Sequence, residues 1–158
     1  MGLVGDILQL AIQRNVMLTC AESCTGGMVG AALTDLAGSS AMFDRGFITY
    51  SNAAKIQMLG VLPATLAAHG AVSIQVAREM AQGALERSDA ALAVSITGIA
   101  GPGGSEHKPE GRVCFAIAQT TGVIAETQEF GAPGRDGVRQ AATDHALNLL
   151  RNALHKME

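Results

Sequence analysis

The segment "VMLTCAESCTGGMVG", residues 16–30, passes from an apolar run through a polar turn into small apolar residues. Val16–Ala21 predicts a buried strand, and Gly27–Leu36 predicts a helix that packs closely against its neighbours. Ser23 and Cys24, in the turn between them, are potential nucleophiles, and no His or Asp stands beside them. A strand that leads through a turn into a helix is typical of α/β proteins, whose ligands bind at this edge of the sheet.

The flanking segments predict the other elements of an α/β fold. Apolar runs and helical periodicity predict strands at Arg45–Ser51, Ala90–Thr97, Arg112–Gln119 and Val123–Phe130, and helices at Val4–Arg14, Asn52–Gly60, Ser73–Arg87 and Asp136–His155. The early strands are linked by helices, so we expect them to be parallel. Arg112–Gln119 enters by a loop and leaves by a tight turn, so we expect it to be the one antiparallel strand. The elements predict a three-layer α/β/α sandwich with a mixed five-stranded sheet.

The composition excludes several classes of function. The chain has 158 residues, 48% of them hydrophobic and 16% charged, which suits one globular domain with a sizeable core. Aromatic residues make up 3%, the formal net charge is −3, and no basic cluster occurs, so we expect no nucleic-acid partner. No signal peptide or long apolar segment is present, which argues against a membrane partner. Three cysteines, an odd number, indicate free thiols and a cytoplasmic location.

The turn that contains Ser23 has two interpretations. Near a helix N-terminus, the free backbone N–H groups of residues 23–27 can hold an oxyanion or a phosphate. Alternatively, Ser23 only caps the helix, and Gly26 and Gly27 let the helix pack closely. The pattern is not the Gly-x-Ser-x-Gly elbow of hydrolases. Cys24 is a rival nucleophile, but no His or acidic residue is placed to activate it.

The segment "FITYSNAAKIQ" supplies a candidate base. Ser51 or Asn52 can cap a short helix, which places Lys55 in its first turn. The helix dipole and burial both disfavour a cation there, so the pKa of Lys55 is expected to be low enough for it to act as a base. Tyr50, the only Tyr, can relay or orient a proton. The alternative is a solvated surface Lys and a half-buried Tyr.

The segment "SITGIAGPGGSEHKPEG" predicts a long glycine-rich loop after the central strand. Thr97 and Gly98 close the strand, and such a loop brings backbone N–H groups near a ligand, often a phosphate. It matches neither a Walker A loop nor Gly-x-Gly-x-x-Gly. The alternative is an irregular connection, although loops this long are usually functional. Downstream, Arg135 and Arg139 can meet an anion or lie on the surface.

Taken together, these motifs resemble the CinA C-terminal domain family, which includes nicotinamide-mononucleotide amidohydrolases. The resemblance rests on "AESCTGG", "GFITYSNAAK" and "SITGIAGPGGS" in this order, supported by "AGSSAMFDRG", "LAAHGAVS" and "KPEGRV". It implies hydrolysis of nicotinamide mononucleotide to nicotinate mononucleotide and ammonia, in pyridine nucleotide salvage. The implied catalytic residues are Ser23, Tyr50 and Lys55, with no metal and no cofactor.

The resemblance also implies which residues bind the nucleotide substrate. These are Thr25, Gly26, Gly27, Thr97, Gly98 and Arg135, of which Thr97 is the foremost substrate contact. Neutral Lys55, directly or through Tyr50, would take the proton of Ser23 as its oxygen attacks the carboxamide. A rival from a different class is a catalytically weak nucleotide-binding or competence-associated partner-binding module of the same fold.

The family resemblance further implies the same three-layer sandwich and self-association, so we expect a homodimer. Some relatives carry this domain behind a larger molybdopterin-binding-like domain. Only a short helix precedes the first strand here, so we expect residues 1–158 to form a single domain without it. Cys114 stands where relatives commonly carry a bulkier residue, and the turn that contains Arg135 varies within the family.

Overall fold

A computed structural model describes residues 2–157, and Met1 and Glu158, the ends of the predicted domain, lie outside the described residues. In chain order, the elements are α1 (Leu3–Arg14), β1 (Leu18–Glu22), α2 (Met28–Thr34), a short 3₁₀ helix (Ser39–Ala41), β2 (Phe43–Ile48), α3 (Asn52–Leu59), α4 (Pro63–His69), α5 (Ile74–Glu86), β3 (Leu92–Gly98), β4 (Arg112–Gln119), β5 (Gly122–Glu129) and α6 (Arg135–Lys156). Each strand and helix expected from the sequence is present, with bounds shifted by at most three residues. Helix α4 was not predicted.

The five strands form one mixed sheet in the order β2-β1-β3-β4-β5. Strands β2, β1 and β3 are parallel, whereas β4 is antiparallel to both β3 and β5. The prediction of a single antiparallel strand, Arg112–Gln119, is therefore confirmed. Since β1 lies between β2 and β3, the carboxyl ends of three parallel strands meet at one edge of the sheet.

Helices cover both faces of the sheet, which confirms the predicted three layers. One core joins α1, α2 and α6 to the sheet through residues such as Ile7, Val29, Leu150 and Phe115. The other core joins α3, α4 and α5 to the opposite face of the sheet. It includes Met80, whose side chain has no exposed surface. The strands between the layers, β1 and β3, are buried almost throughout, as the continuous apolar runs in their sequences predict.

Helix α3, which carries Lys55, is fixed at both ends. The hydroxyl of Ser51 accepts a hydrogen bond from the amide of Ala54, and Gly60 ends the helix in a left-handed conformation with φ +73°. At the C-terminal end α5 approaches so closely that a Cβ on Gly83 would lie 1.9 Å from the carbonyl oxygen of Leu59. Lys55, the predicted base, therefore lies on a helix that is capped at its start and packed tightly against α5 at its end.

Every helix within residues 2–157 is too short or too polar to cross a lipid bilayer.

Candidate active site

A pocket of about 330 Å³ lies at the carboxyl ends of β1, β2 and β3. Its wall includes five of the residues singled out in the sequence: Ser23, Tyr50, Lys55, Thr97 and Arg135. Ser23 and Tyr50 follow β1 and β2, Thr97 lies near the end of β3, Lys55 lies in the first turn of α3, and Arg135 begins α6, so the fold brings together side chains that are far apart in the sequence. Ligands of open α/β sheets bind at this kind of edge.

Ser23 and Lys55 form a direct pair at the floor of this pocket. Lys55 Nζ lies 3.1 Å from Ser23 Oγ, although the two residues are 32 positions apart. The same nitrogen lies 3.0 Å from the carbonyl oxygen of Thr49 and 3.4 Å from that of Tyr50. A neutral amine has two protons and one lone pair, so it can donate to both carbonyls and accept the proton of Ser23.

The surroundings of Lys55 favour that neutral amine. Its side chain is 1% exposed, and burial lowers the pKa of Lys55 below its usual value. The predicted direction of this pKa is therefore confirmed, and burial is its main cause. Cys24 and Glu106, which also line the pocket, act on the pKa of Lys55 in the opposite direction.

The turn after β1 is held from one side by Glu22, which is buried. Its carboxylate accepts five hydrogen bonds: from the thiol of Cys20 (3.5 Å), from the hydroxyl of Thr25 (2.6 Å) and from the amides of Gly27 (3.2 Å), Val29 (3.0 Å) and Gly30 (3.0 Å). A negative charge at the start of α2 also complements the helix dipole. These N–H groups are consequently engaged inside the protein.

Arg139, on α6, holds the same turn from the other side. Its Nε donates to the carbonyl of Cys24 at 3.0 Å, and Nη2 donates to the carbonyl of Thr25 at 3.4 Å. Gly26 adopts φ +55°, a conformation that most side chains disfavour, and its amide donates to the carbonyl of Ser23. The turn is therefore determined by contacts on both sides.

Three residues predicted to bind substrate lie away from this pocket. Thr25, Gly26 and Gly27 are absent from the pocket wall, and Thr25 is fully buried with its hydroxyl on Glu22. The physical reason is that Glu22 draws the start of α2 inward, which turns these residues from the cavity. They shape the turn after Ser23, and their predicted contact with substrate stays a prediction.

The two cysteines near Ser23 are poor nucleophiles. Cys20 and Cys24 are buried and form no disulfide. Burial raises the pKa of the Cys24 thiol to about 11, so little thiolate exists at neutral pH. Burial also raises the pKa of Cys20 well above its usual value. The electrostatics thus favour Ser23 over Cys24.

Tyr50 and Arg135 form the outer rim of the pocket. The phenol is 61% exposed, and its hydroxyl accepts a hydrogen bond from Arg135 Nη2 at 2.8 Å. Arg135 Nη1 donates to the carbonyl of Gly101 in the glycine-rich loop at 2.6 Å. The phenol therefore contacts Arg135, whereas the backbone carbonyl of Tyr50 is what faces Lys55.

The glycine-rich loop closes the remaining side of the pocket. Thr97 is buried beneath it, with its hydroxyl on the carbonyl of Ala71 at 2.9 Å. Gly98 also lines the pocket, where a Cβ would lie 2.6 Å from Val113 Cγ2. Lys108 ties the loop to the α4–α5 connection by donating to the carbonyls of His69 and Val72.

Three residues of the site were not recognised as such in the sequence. Glu22 binds amides five to eight positions downstream, a spacing that no capping motif describes. For Arg139, the sequence allows either contact with an anion or a position on the surface, and neither describes its contacts with the turn. Glu106 was overlooked because a carboxylate in a polar loop is ordinarily solvated. Of the three residues, only Glu22 could have been suspected of a role in the site, because it directly precedes Ser23 in the sequence.

Comparisons with known proteins identify the family of this chain. The family model of the CinA C-terminal domain matches residues 2–154. The chain belongs to the CinA C-terminal domain family. A member from Escherichia coli K12, named nicotinamide-nucleotide amidohydrolase PncC, is 54% identical over 154 residues, which cover 92% of this chain and 93% of that protein.

Solved structures of the family share the fold. The competence damage-inducible protein A from Klebsiella pneumoniae superposes with a TM-score of 0.95 at 36% identity, over 99% of this chain and 97% of that one. The competence/damage inducible protein CihA from Agrobacterium tumefaciens gives 0.89 at 46% identity, over 99% and 98%. The family resemblance inferred from the three motifs is thus confirmed.

Proposed function

We propose that this family member hydrolyses the carboxamide of nicotinamide mononucleotide to nicotinate mononucleotide and ammonia, with Ser23 as nucleophile and Lys55 as base. The observation that carries the proposal is the 3.1 Å contact between Lys55 Nζ and Ser23 Oγ in a pocket where burial disfavours the ammonium. The name of the Escherichia coli relative supplies the class of substrate.

The reaction begins with proton transfer within this pair. Lys55 accepts the hydroxyl proton as Ser23 Oγ bonds to the carboxamide carbon, and the carbonyl oxygen becomes an oxyanion. The ammonium of Lys55 then gives its proton to the amide nitrogen, and the C–N bond breaks to release ammonia. A direct transfer suits this contact, since the Tyr50 phenol is engaged with Arg135.

The acyl group then leaves by hydrolysis. Water attacks the Ser23 ester while neutral Lys55 takes a water proton. The proton returns to Ser23 Oγ as the ester bond breaks, which frees the carboxylic acid and regenerates the pair. Both half-reactions use the same base, so no His or second carboxylate is needed.

The substrate is bipolar, and the rim offers groups of both charges. Arg135 is exposed, lines the pocket, and is suited to hold the phosphate, since a guanidinium can bind two phosphate oxygens at once. Glu106, the one acidic residue of the pocket wall, can face the cationic pyridinium ring. Thr97 and Gly98 also line the pocket, and we propose that they contact the nucleoside.

The test is an assay of the purified protein with nicotinamide mononucleotide, in which ammonia and nicotinate mononucleotide are both quantified. We expect one ammonia per nicotinate mononucleotide, and loss of turnover in Ser23→Ala and Lys55→Ala. Normal turnover in either variant, with the fold retained, would refute the Ser–Lys assignment. Stabilisation by the nucleotide without ammonia release would indicate a binding module instead.

We also propose that the protein acts as a homodimer in the cytoplasm. Buried free thiols suit a reducing compartment. Ile48 on the edge strand β2 is an exposed large apolar side chain that a second copy of the chain could cover. Light scattering coupled to size-exclusion chromatography tests the assembly, and a monomeric mass would contradict it.

A further inference from the structure

The guanidinium of Arg139 donates hydrogen bonds to backbone carbonyls rather than pairing with a carboxylate. It is half-buried on α6, and none of the ion pairs among the described residues includes it. Its Nε and Nη2 instead reach the carbonyls of Cys24 and Thr25. Both carbonyls belong to the turn directly after Ser23, so a residue 116 positions along the chain governs the geometry of the nucleophile's neighbours.

One amide in this turn is left for a ligand. Within residues 23–28, the amides of Ser23, Gly26 and Met28 donate to carbonyls, and that of Gly27 donates to Glu22. The amide of Thr25 belongs to a residue with no exposed surface. The amide of Cys24 donates to no other residue of the described chain and lies only against its own thiol, and Cys24 lines the pocket.

The direction of the Cys24 amide is set by hydrogen bonds at neighbouring carbonyls. In a trans peptide, the C=O and the following N–H point to opposite sides. The carbonyl of Ser23 accepts from Gly26, so the N–H of Cys24 points to the opposite side of that peptide. Arg139 fixes the next two peptides by their carbonyls, which holds Gly26 in place to make that contact.

We propose that Arg139 is a positioning residue for hydrolysis, which holds the turn so that the Cys24 amide donates to the oxyanion formed on the substrate carbonyl. The inference rests on the proposed function, because it requires a tetrahedral intermediate on Ser23. Arg139 itself contacts neither substrate nor the reacting atoms. The amide directly after a nucleophile is a common oxyanion donor in serine hydrolases.

This role predicts a specific kinetic signature. The oxyanion exists in the transition state and not in the bound substrate, so loss of its donor lowers kcat and leaves KM nearly unchanged. Removal of a full oxyanion donor lowers kcat by about 10²- to 10³-fold in a serine protease. Misplacement of the donor in Arg139→Ala is expected to lower kcat by about 10- to 100-fold.

The experiment compares the steady-state kinetics of Arg139→Ala, Arg139→Lys and the control Arg151→Ala with nicotinamide mononucleotide. Arg151 lies on the same helix, where it pairs with Asp6 and Asn148. We expect the kcat loss in Arg139→Ala with KM within about twofold, a smaller loss in Arg139→Lys, and wild-type kinetics in Arg151→Ala. Added guanidinium should restore part of the kcat of Arg139→Ala but none of that of Ser23→Ala.

Three results would overturn the inference: a wild-type kcat in Arg139→Ala, a rise in KM alone, or a kcat loss that guanidinium does not relieve and that follows the loss of folded protein in thermal melts. Arg139→Lys guards against misfolding, because its ammonium can still reach one carbonyl. A wild-type protein that releases no ammonia would instead refute the proposed function, and with it the role of Arg139.

Discussion

The floor and the rim of the pocket are built from different kinds of contact. On the floor, Ser23 and Lys55 are 7% and 1% exposed, and backbone carbonyls fix the amine. On the rim, Tyr50 and Arg135 are exposed and bind each other, side chain to side chain. Floor groups therefore keep one geometry, which proton transfer requires, whereas rim groups can rearrange around a ligand.

This difference predicts a division of kinetic effects. Changes on the floor should lower kcat, because the groups there act on the reacting atoms. Changes on the rim should raise KM, because the groups there bind parts of the substrate that do not react.

The largest effect is expected for Lys55→Arg. A guanidinium stays protonated at working pH, so the base is lost. We expect kcat to fall by about 10²- to 10⁴-fold, the usual contribution of general base catalysis. Steady-state ammonia release measures this, with circular dichroism as the control for folding. A kcat close to wild type would exclude Lys55 as the base.

The pH dependence tests the same residue without mutation. The proposed reaction needs neutral Lys55, so kcat/KM should fall as the pH drops through its pKa in the free enzyme. Because burial lowers that pKa, the acid limb should lie below the usual range of lysine. A profile of kcat/KM against pH gives its midpoint. An acid limb at the pKa of an ordinary lysine would contradict a buried, neutral amine.

Stability should change with pH in the same direction. Unfolded Lys55 titrates near an ordinary pKa of about 10.4. Between the lowered folded pKa and this value, the unfolded chain binds more protons, so the free energy of unfolding rises with pH. The rise should be absent from Lys55→Met. Urea denaturation of both proteins across this pH range measures it, and equal slopes would count against the shifted pKa.

On the rim, Arg135→Ala should act mainly on KM. Loss of a hydrogen bond to a charged group costs about 1.5–3 kcal/mol, so we expect KM to rise by about 10- to 100-fold. The nucleoside nicotinamide riboside, which lacks the phosphate, should bind the variant and the wild type equally. Competition assays with this nucleoside provide the measurement. A selective loss of kcat would instead place Arg135 among the floor groups.

The smallest effect is expected for Cys24→Ala. The variant keeps the backbone amide and removes a thiol whose raised pKa makes it a poor nucleophile, so kcat should be unchanged. The lost packing should lower stability by about 1 kcal/mol. Turnover and thermal melts of the same sample check both statements. Loss of turnover in a folded Cys24→Ala protein would restore the cysteine mechanism.

The sequence was most informative where one local pattern determines structure. Continuous apolar runs identified the strands, and the tight turn before β5 identified β4 as the antiparallel strand. Helix α4 was not predicted because Pro63–His69 is short and none of its residues is buried. Its position depends on packing against α5, which no local pattern reports.

The candidate site divides in the same way. Ser23 follows β1, Thr97 lies near the end of β3 and Lys55 lies in the first turn of α3, so their types and positions gave useful signals. The contacts of Glu22 and Arg139 form only in the folded chain. Glu22 is buried against the start of α2, and Arg139 reaches the turn after Ser23 from α6. The exposed placement of the Tyr50 phenol also depends on a distant partner, Arg135.

The carboxylate of Glu22 has a consequence for the design of inhibitors. It already occupies the start of α2 with a negative charge, so an anionic group placed towards that helix would meet repulsion and find the amides of Gly27, Val29 and Gly30 engaged. The compounds that fit should be neutral at the Ser23 end, with a serine-reactive electrophile, and carry their acidic group towards Arg135. Selectivity against phosphate-binding enzymes would follow from this polarity, because those enzymes usually place the anion at a helix N-terminus.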